Sequence, residues 1–380
     1  MAMDGRARLK EAKRIVVKVG TSTLTHKTGK LNLHRIEHLV RDLAELSNEG
    51  REVILVSSGA QAAGMGRLGL AKKPADMPGK QALAAIGQGI LLHIYEKFFA
   101  EYGKTVGQVL LTKEDAVRHN HYHHSRNALF ALLEMGAIPI INENDAISVD
   151  EFQIGDNDNL SAFVATLVDA DALVILSDIE GLYTVNPQKD PSAALIHEVP
   201  EVTPAIERIA GGAGTRLGTG GMMTKIQAAK IAGGAGVTMA IVSGLRRHAL
   251  LDVLAGAEVG TVFPAREDHL QLRRSWLAFG KRLAGDISVD AGCERALREK
   301  GASILAVGIT DCAGEFPTGS TVRILSENQQ EIARGIVNYD SEAIRRLMGH
   351  QTEESAKILG AAPADCPAEV IHRDNMVLMV

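Results

Sequence analysis

The chain has 380 residues, of which 46% are hydrophobic, and a formal net charge of −5 at pH 7. This length suffices for a large core and predicts more than one domain, and the near-neutral charge provides no field that would favour nucleic acid. The three cysteines lack CxxC spacing, which favours reduced thiols over disulfides or a zinc site. The start MAMDGRARLKEAK is charged and has no apolar h-region, and no uninterrupted apolar run approaches the length of a membrane span, so we expect a cytoplasmic protein.

Short apolar runs alternate with longer segments of helical periodicity over the first two thirds of the chain. The runs are continuous in Val, Ile and Leu, as in parallel strands that are buried on both faces. This alternation predicts an α/β fold, a three-layer αβα sandwich with a mostly parallel sheet. The predicted strands span residues 14–20, 51–60, 105–112, 137–145, 172–178 and 236–244, and two of the helices span 33–50 and 80–103.

The character of the sequence changes after about residue 265. A charged, linker-like segment at 266–274 is followed by short strand-like pieces that glycines interrupt: GDISVD, ASILAVGIT, GSTVRIL, EIARGIVNYD and NMVLMV. This predicts a small, mainly β domain at 275–380 after a first domain at 1–265.

Small and polar residues end the predicted strands, where a parallel sheet collects its ligands. Two glycine-rich segments each carry a lysine: Lys18 lies two positions before Gly20, and Lys225 ends GTGGMMTK at 218–225. Backbone N–H groups of such loops bind phosphate, and a nearby lysine neutralises it. Neither segment has Walker A spacing. One glycine loop alone can be a turn with a helix cap, but two with lysines favour phosphate chemistry.

The stretch IGDNDNLSA at 154–162 places two acids and two amides directly before an apolar helix. One such side chain suffices for a helix cap, so the surplus predicts a binding role. We expect Asp158 to hold the two lysines apart and aimed, and Asp145 to pair with a substrate ammonium group. Asn157 and Ser58 are candidates for binding a substrate carboxylate. For each residue taken alone, a helix cap or an Asx turn is the alternative.

Six motifs in order resemble those of the bacterial glutamate 5-kinase family, which belongs to the amino acid kinase superfamily: VVKVGTS, SSGAQAAG, INENDA, GDNDNLSA, LSDIEGLYT and GTGGMMTK. The resemblance runs from about residue 13 to 264. In the tail, GEFPTGSTVRI at 314–324 and HRDNMV resemble the PUA domain that many of these kinases carry. INENDA with GDNDNLSA is specific to the family, whereas the lysine strand and the Gly-Gly-Met loop are shared more widely.

The resemblance implies the amino acid kinase fold and ATP-dependent phosphorylation of the γ-carboxylate of L-glutamate, the first step of proline biosynthesis. It also implies Mg²⁺, inhibition by proline, and assembly as a dimer or tetramer. No dedicated metal-ligand cluster is visible, which fits Mg²⁺ held by phosphates and water. Three sets of residues match the family's motifs: Lys18, Lys225 and Asp158 for catalysis; Ser58, Asp145 and Asn157 for glutamate; and Lys18, Gly20, Ser177, Asp178, Thr219, Gly220, Gly221, Met222, Met223, Thr224 and Lys225 for the nucleotide.

Two segments depart from the family's pattern. Ser177 stands where the family often has threonine, and HSRNA at 124–128 replaces the usual Asn-Ala-Arg-x-Thr. RHNHYHHSR at 118–126 contains four histidines within residues 119–124. A metal site is one interpretation of this cluster. A solvated helix start is favoured, because no Asp, Glu or Cys accompanies the histidines locally.

Two other functions are open to such a chain. The first is a kinase of the same fold that acts on carbamate, aspartate, N-acetylglutamate or a nucleoside monophosphate. The acid and amides of INENDA and GDNDN disfavour it, because they suit an amino group and a carboxylate. The second is RNA binding by the PUA-like tail. Residues 271–380 hold 13 lysines and arginines against 15 acids, so no basic excess supports it.

Overall fold

The computed structural model describes residues 4–26, 28–112, 119–147, 157–187, 190–211, 221–265, 283–360, 366–373 and 376–378. Contacts between Cα atoms divide the chain into two compact units, Met1–His269 and Leu270–Val380. The expected linker at 266–274 lies outside the described residues. Among the helices of the described ranges, none is both long and apolar enough to cross a membrane.

A seven-stranded sheet in the order β3-β4-β2-β1-β5-β6-β7 forms the centre of the first unit. All neighbouring strands are parallel except β7, which runs antiparallel to β6. The six predicted strands are confirmed, and the short edge strand β7 is an addition. The strands are β1 Arg14–Val19, β2 Glu52–Ser57, β3 Val106–Leu111, β4 Ile138–Glu143, β5 Ala172–Ser177, β6 Thr238–Ser243 and β7 Thr261–Phe263.

Helices cover both faces of this sheet, which confirms the three-layer prediction. The two predicted helices correspond to α3 and α5, whose ends differ from the expected ones by a few residues. The helices are α1 Gly5–Glu11, α2 Thr21–Leu24, α3 Leu33–Asn48, α4 Ala60–Leu68, α5 Met77–Glu101, α6 His119–Glu134, α7 Asn157–Leu167, α8 Pro204–Gly211, α9 Met222–Gly234 and α10 Ala249–Leu254.

Each face of the sheet has its own apolar core. On one face, residues of α3, α5 and α10 such as Ile36, Leu91 and Leu250 pack against the sheet. On the other face, α7 and α9 supply Leu160 and Ile226. The two cores meet only through the sheet, so a side chain's position along a strand decides which face it serves.

The turn after β2 depends on glycine. Gly59 has φ +100°, a left-handed conformation that other residues avoid, and it ends β2 three residues earlier than expected. The helix that follows, α4, packs very closely on α5. A Cβ at Gly87 would lie 1.7 Å from the carbonyl oxygen of Ala60, so only glycine fits there. This contact fixes the segment that carries Ser58.

The second unit contains a five-stranded sheet in the order β12-β11-β10-β8-β9, antiparallel except for the β8–β10 pair. Most of its predicted strand pieces are confirmed. ASILAVGIT differs: Ile304 is buried and forms only an isolated bridge, so the strand begins at Ile309. The elements are β8 Gly285–Val289, α11 Ala291–Lys300, a 3₁₀ turn Ala306–Gly308, β9 Ile309–Ala313, β10 Thr321–Leu325, β11 Glu331–Ile336, α12 Ser341–Leu347, a 3₁₀ turn Thr352–Glu354, α13 Ser355–Leu359 and β12 Met376–Leu378.

Candidate active site

Lys18 enters the site from the most protected strand of the sheet. β1 lies between β2 and β5, with Lys18 opposite Val56 and Ile175. Side chains alternate along a strand, so Lys18 shares the face of Val16, which belongs to the core that α7 and α9 cover. The lysine is only 3% exposed, in a strand of Val and Ile. A buried lysine in that setting requires an anionic partner.

Asp158 is that partner, and it binds a second lysine as well. Its carboxylate, 0% exposed in the first turn of α7, lies 2.6 Å from Lys18 Nζ through Oδ1 and 3.1 Å from Lys225 Nζ through Oδ2. Thr224 Oγ1 also donates a hydrogen bond of 2.7 Å to Oδ2. Lys225 lies in the first turns of α9, which packs on α7. Three segments distant in sequence thus converge on one carboxylate.

The charges of this cluster do not cancel. Burial acts to raise the pKa of Asp158, but the ammonium groups of Lys18 and Lys225 outweigh it and hold that pKa below its usual value. One carboxylate therefore faces two ammonium groups, and the cluster has one excess positive charge. An anion at the surface of the cluster would find both lysines already oriented.

Glycines lie beside both lysines, as expected. Gly221 is the N-cap of α9 and has no side-chain capping bond, so the first-turn N–H groups of this helix face no capping side chain. Gly20 follows β1, and a Cβ there would lie 3.8 Å from Lys18 Nζ. Such helix starts and glycine turns suit a phosphate. Thr219 and Gly220 lie outside the described residues.

Ser177 and Asp178 end β5, the strand next to β1. Ser177 is buried, and its hydroxyl donates a 3.2 Å hydrogen bond to Asp178 Oδ1. Met222 and Met223 are half-buried at the start of α9. The described nucleotide-site candidates thus lie in strand ends or helix starts, and three of them, Lys18, Thr224 and Lys225, contact Asp158.

Asn157, the neighbour of Asp158, belongs to a separate cluster of neutral groups. Its Nδ2 donates to Ser58 Oγ at 2.8 Å, to Asn142 Oδ1 at 2.9 Å and to the carbonyl of Ser57 at 3.0 Å. Asn142 in turn donates through Nδ2 to Gln88 Oε1 at 2.8 Å. The amides therefore form a chain from α5 through the end of β4 to the start of α7, which orients Asn157 and Ser58 together.

Asp145 lies in a third environment, in the turn after β4. It is half-buried and hydrogen-bonds Gln61 of α4, with Lys73 nearby. Burial raises the pKa of Asp145, while Lys73 and Gln61 act in the opposite direction. The negative charge of this carboxylate is only partly compensated, so a further cationic partner would stabilise it.

Several groups of the site escaped the sequence analysis. Asn142 lies in INENDA and Gln61 in SSGAQAAG, but neither was assigned a role, and Gln88 lies in a helix without any motif. Their contribution depends on which helix faces which strand, which no local pattern reveals. Of the histidine cluster, α6 begins at His119 and His124 is exposed; the side chains of 119–123 lie outside the described residues.

Two models of known protein families match parts of this chain. The model of the amino acid kinase family matches residues 13–243, and that of the PUA domain matches residues 285–359. The first model spans the whole of the cluster around Asp158, and the second lies within the second unit.

Two proteins that are similar over nearly the whole chain are glutamate 5-kinases. Glutamate 5-kinase of Moorella thermoacetica is 51% identical over 374 residues, 98% of either chain. Glutamate 5-kinase of Caldanaerobacter subterraneus is 50% identical over 366 residues, 96% of this chain and 98% of the other. Among solved structures, UMP kinase of Bacillus anthracis is 15% identical with a TM-score of 0.46, over 67% of this chain and 96% of that one.

Proposed function

The chain belongs to the glutamate 5-kinase family of amino acid kinases, and from this premise we propose that it transfers the γ-phosphoryl group of ATP to the γ-carboxylate of L-glutamate. The product is L-glutamyl 5-phosphate, and the reaction is the first step of proline biosynthesis from glutamate. The observation that carries this proposal is the contact of one buried carboxylate, Asp158, with two lysines, Lys18 and Lys225.

The chemistry requires charge neutralisation more than proton transfer. A glutamate side chain has a pKa of about 4.3, so the nucleophile is already ionised at neutral pH and needs no general base. The obstacle is the repulsion between this carboxylate and the phosphates. Lys18 and Lys225 would neutralise the transferring group, while Asp158 keeps the two ammonium groups apart and fixed in direction.

The nucleotide would bind across the glycine turns and the end of β5. Gly20, Gly221 and the first turn of α9 would supply N–H groups, and Ser177, Asp178, Met222 and Met223 the adjoining walls, together with Thr219 and Gly220. Mg²⁺, when bound, neutralises phosphate charge. Because both oxygens of Asp158 already have partners, we infer that Mg²⁺ is held by phosphates and water.

Glutamate would bind at the ends of β2 and β4. In this proposal Asp145 pairs with the α-ammonium group, and Asn157 and Ser58 bind a carboxylate. Proline, the end product of the pathway, shares the ammonium and α-carboxylate groups and would compete for these residues. Proline at millimolar concentration is expected to raise the apparent KM for glutamate and leave kcat unchanged, and a KM indifferent to proline would contradict this.

We also infer how the rest of the chain is used. The kinase domain would span 1–265, the linker 266–274 and the PUA domain 275–380, and the active form would be a dimer or a tetramer. The PUA domain has no basic excess, so RNA is not an expected partner. A salt-sensitive complex with RNA at micromolar protein would reverse that inference.

The decisive experiment is ADP release with Mg·ATP across glutamate, aspartate, N-acetylglutamate, carbamate and UMP, with hydroxylamine present to trap an acyl phosphate. We expect turnover with glutamate alone and formation of the hydroxamate. Turnover with another member of the panel instead would preserve the phosphate site but remove Ser58, Asp145 and Asn157 as glutamate residues. The Lys225→Ala variant is the matched blank for contaminating ATPase.

A further inference from the structure

A separate cleft lies on the opposite face of the sheet from the lysine cluster. It has a volume of about 150 Å³ and opens between α3 and the turn from β6 to α10. Its inner wall contains Thr23 of α2, Leu176 at the end of β5 and Gly244 just after β6. The leucines beneath it belong to the core under α3 and α10, whereas Lys18 lies on the other face.

Basic residues outnumber acidic ones in the lining of this cleft. Three arginines and three histidines contribute to it, against a single acid, Asp42. Asp42 is buried and already paired, since His248 Nδ1 lies 3.1 Å from its Oδ1. It therefore offers little negative charge to the opening. The basic residues are His34, Arg35, His38, Arg246, Arg247 and His248.

Two of the lining groups lack a partner. Arg247 is exposed and has neither a hydrogen bond nor an ion pair within the described ranges, whereas Arg246 is paired with Asp252 at 2.9 Å. The hydroxyl of Thr23 has no hydrogen-bond partner there either, although the residue is only 4% exposed. A buried donor without an acceptor is uncommon in proteins and calls for an explanation. An anion in the cleft would supply acceptors for such donors.

The histidines of α3 offer a rival interpretation. His34 and His38 approach each other to 3.1 Å between their Nε2 atoms, and Glu37 lies near enough to complete a set of three possible metal ligands. Glu37 is already bound to Arg41 and Tyr102, however. The surrounding arginines repel a cation as well. Burial lowers the pKa of His38, and the neighbouring His34 and Arg247 act in the same direction, against the opposing effect of Glu37.

We propose that this cleft binds a compact oxyanion of the phosphate class, inorganic phosphate or a small phosphate monoester. Pockets for drug-sized ligands measure roughly 300–1,000 Å³, so the cleft is too small to enclose a nucleotide and suits a single phosphate group. Arg247 is its principal ligand, assisted by Arg35 and His34. The inference does not depend on the proposed function, because no lining residue belongs to the lysine cluster or the amide chain.

The cleft has a direct route to the catalytic edge. Thr23 lies three residues after Gly20, and Leu176 directly precedes Ser177. The backbone N–H of Gly20 also donates to the carbonyl of Leu176 at 3.4 Å. An anion that holds Thr23 would therefore stabilise the turn that follows β1.

The test is equilibrium dialysis of the full chain against radiolabelled inorganic phosphate at constant ionic strength. The Lys225→Ala variant serves as background, because phosphate can also bind at the catalytic lysines. In that background we expect one phosphate per chain. Adding Arg247→Gln should weaken its binding by about tenfold or more, the usual effect of losing a charge-assisted hydrogen bond. Adding Arg298→Gln, which removes an exposed arginine of α11, should have no effect.

Three results would overturn the proposal. The first is that no phosphate binds in the Lys225→Ala background, and the second is that phosphate binds equally well with and without Arg247. The third is that the cleft binds Zn²⁺ rather than phosphate and that His34→Asn abolishes the binding of Zn²⁺. If Lys225→Ala does not fold, as circular dichroism would reveal, the unaltered chain provides the same answer. There Arg247→Gln should remove one of two bound phosphates, and a stoichiometry unaffected by this change contradicts the site. Comparison of phosphate with glycerol phosphate then distinguishes the free ion from a monoester.

Discussion

Two neighbouring residues, Asn157 and Asp158, enter two clusters of opposite physical character. Both are buried, at 9% and 0% exposure, and both lie in the first turn of α7. Asp158 holds two ammonium groups in a cluster with excess charge, whereas Asn157 joins a chain of neutral amides and hydroxyls. Successive residues of a helix point about 100° apart, so a single turn can serve two partners.

The difference teaches what each cluster can contribute. A buried charge depends on its partners, because desolvation costs several kcal/mol when a partner is lost. A neutral hydrogen bond contributes only about 0.5–1.5 kcal/mol. The charged cluster should therefore govern both stability and the transition state, while the amide chain should govern the affinity for substrate.

The strongest challenge to this division is Asp158→Asn, which leaves Lys18 and Lys225 adjacent without their carboxylate. We expect the free energy of unfolding to fall by about 3–5 kcal/mol and kcat to fall with it, since the lysines repel each other out of position. Urea titration and steady-state kinetics measure both. In Asp286→Asn, which disrupts a partly exposed ion pair with Arg323, the loss should stay within about 1 kcal/mol. An equal loss of unfolding free energy in the two variants would mean that the buried ion pairs of Asp158 stabilise the protein no more than a partly exposed pair does.

Lys225→Ala tests the charged cluster without leaving Asp158 unpaired, because Lys18 remains. Its charge matters most while negative charge develops, so kcat should fall by roughly 10²–10³-fold with little change in the KM for glutamate. Lys230→Ala is the control, an exposed lysine on the same helix that pairs with Glu207. An unchanged kcat with a raised KM would place Lys225 in substrate binding instead.

The role of Asp145 in substrate binding should be visible in the pH dependence of the KM for glutamate. Burial raises the pKa of this carboxyl, so it takes up a proton at a higher pH than an exposed aspartate does. If it pairs with the substrate ammonium group, the KM for glutamate rises as pH falls through that pKa and is constant above it. Asp145→Asn should raise the KM by roughly tenfold or more and remove this inflection.

The titration of glutamate's own γ-carboxylate is common to both proteins, so the difference between their profiles isolates Asp145. Identical profiles for Asp145→Asn and the unaltered chain would exclude Asp145 from the ammonium site. The ammonium group of glutamate would then bind to residues other than Asp145.

Asn157→Ala removes the centre of the amide chain. Here we expect the KM for glutamate to rise by roughly tenfold, from the loss of hydrogen bonds that orient Ser58 and bind substrate. The value of kcat should change far less than in Lys225→Ala. Asn48→Ala, at an exposed helix end, should leave both parameters unchanged. A kcat loss as large as that of Lys225→Ala would erase the distinction between the two clusters.

The sheet could be predicted because its signals are local. Continuous runs such as RIVVKV and ALVILS bury both faces of a strand, and small or polar residues follow them directly. The edge strand β7 has only three residues and no periodicity to detect. ASILAVGIT misled for the opposite reason, because its apolar residues serve the core of the second unit as a 3₁₀ turn and an isolated bridge rather than as one strand.

The charged cluster could be anticipated and the amide chain could not. Two lysines lie beside glycine turns at one edge of the sheet, and buried lysines need an anionic partner. The acidic start of α7 can supply that partner. Asn142 and Gln88 carry no charge, and an amide hydrogen-bonds equally well to water or to a neighbour. Only the packing of α5 against the end of β4 turns Gln88 into a partner, and side-chain packing between distant segments has no short-range signature.

Gln88 consequently provides the most sensitive test of the amide chain, because it is connected to Asn157 through two hydrogen bonds and to Ser58 through three, and itself contacts Asn142 rather than a proposed glutamate residue. Gln88→Ala removes the acceptor of Asn142 Nδ2 and should raise the KM for glutamate by about three- to fivefold, the equivalent of one neutral hydrogen bond. Gln88→Glu retains the accepting oxygen and should restore most of the affinity. If Gln88→Ala and Gln88→Glu have the same KM for the substrate, the side chain of Gln88 does not act through its hydrogen bond. The orientation of Asn157 must then come from β2 and α7 alone.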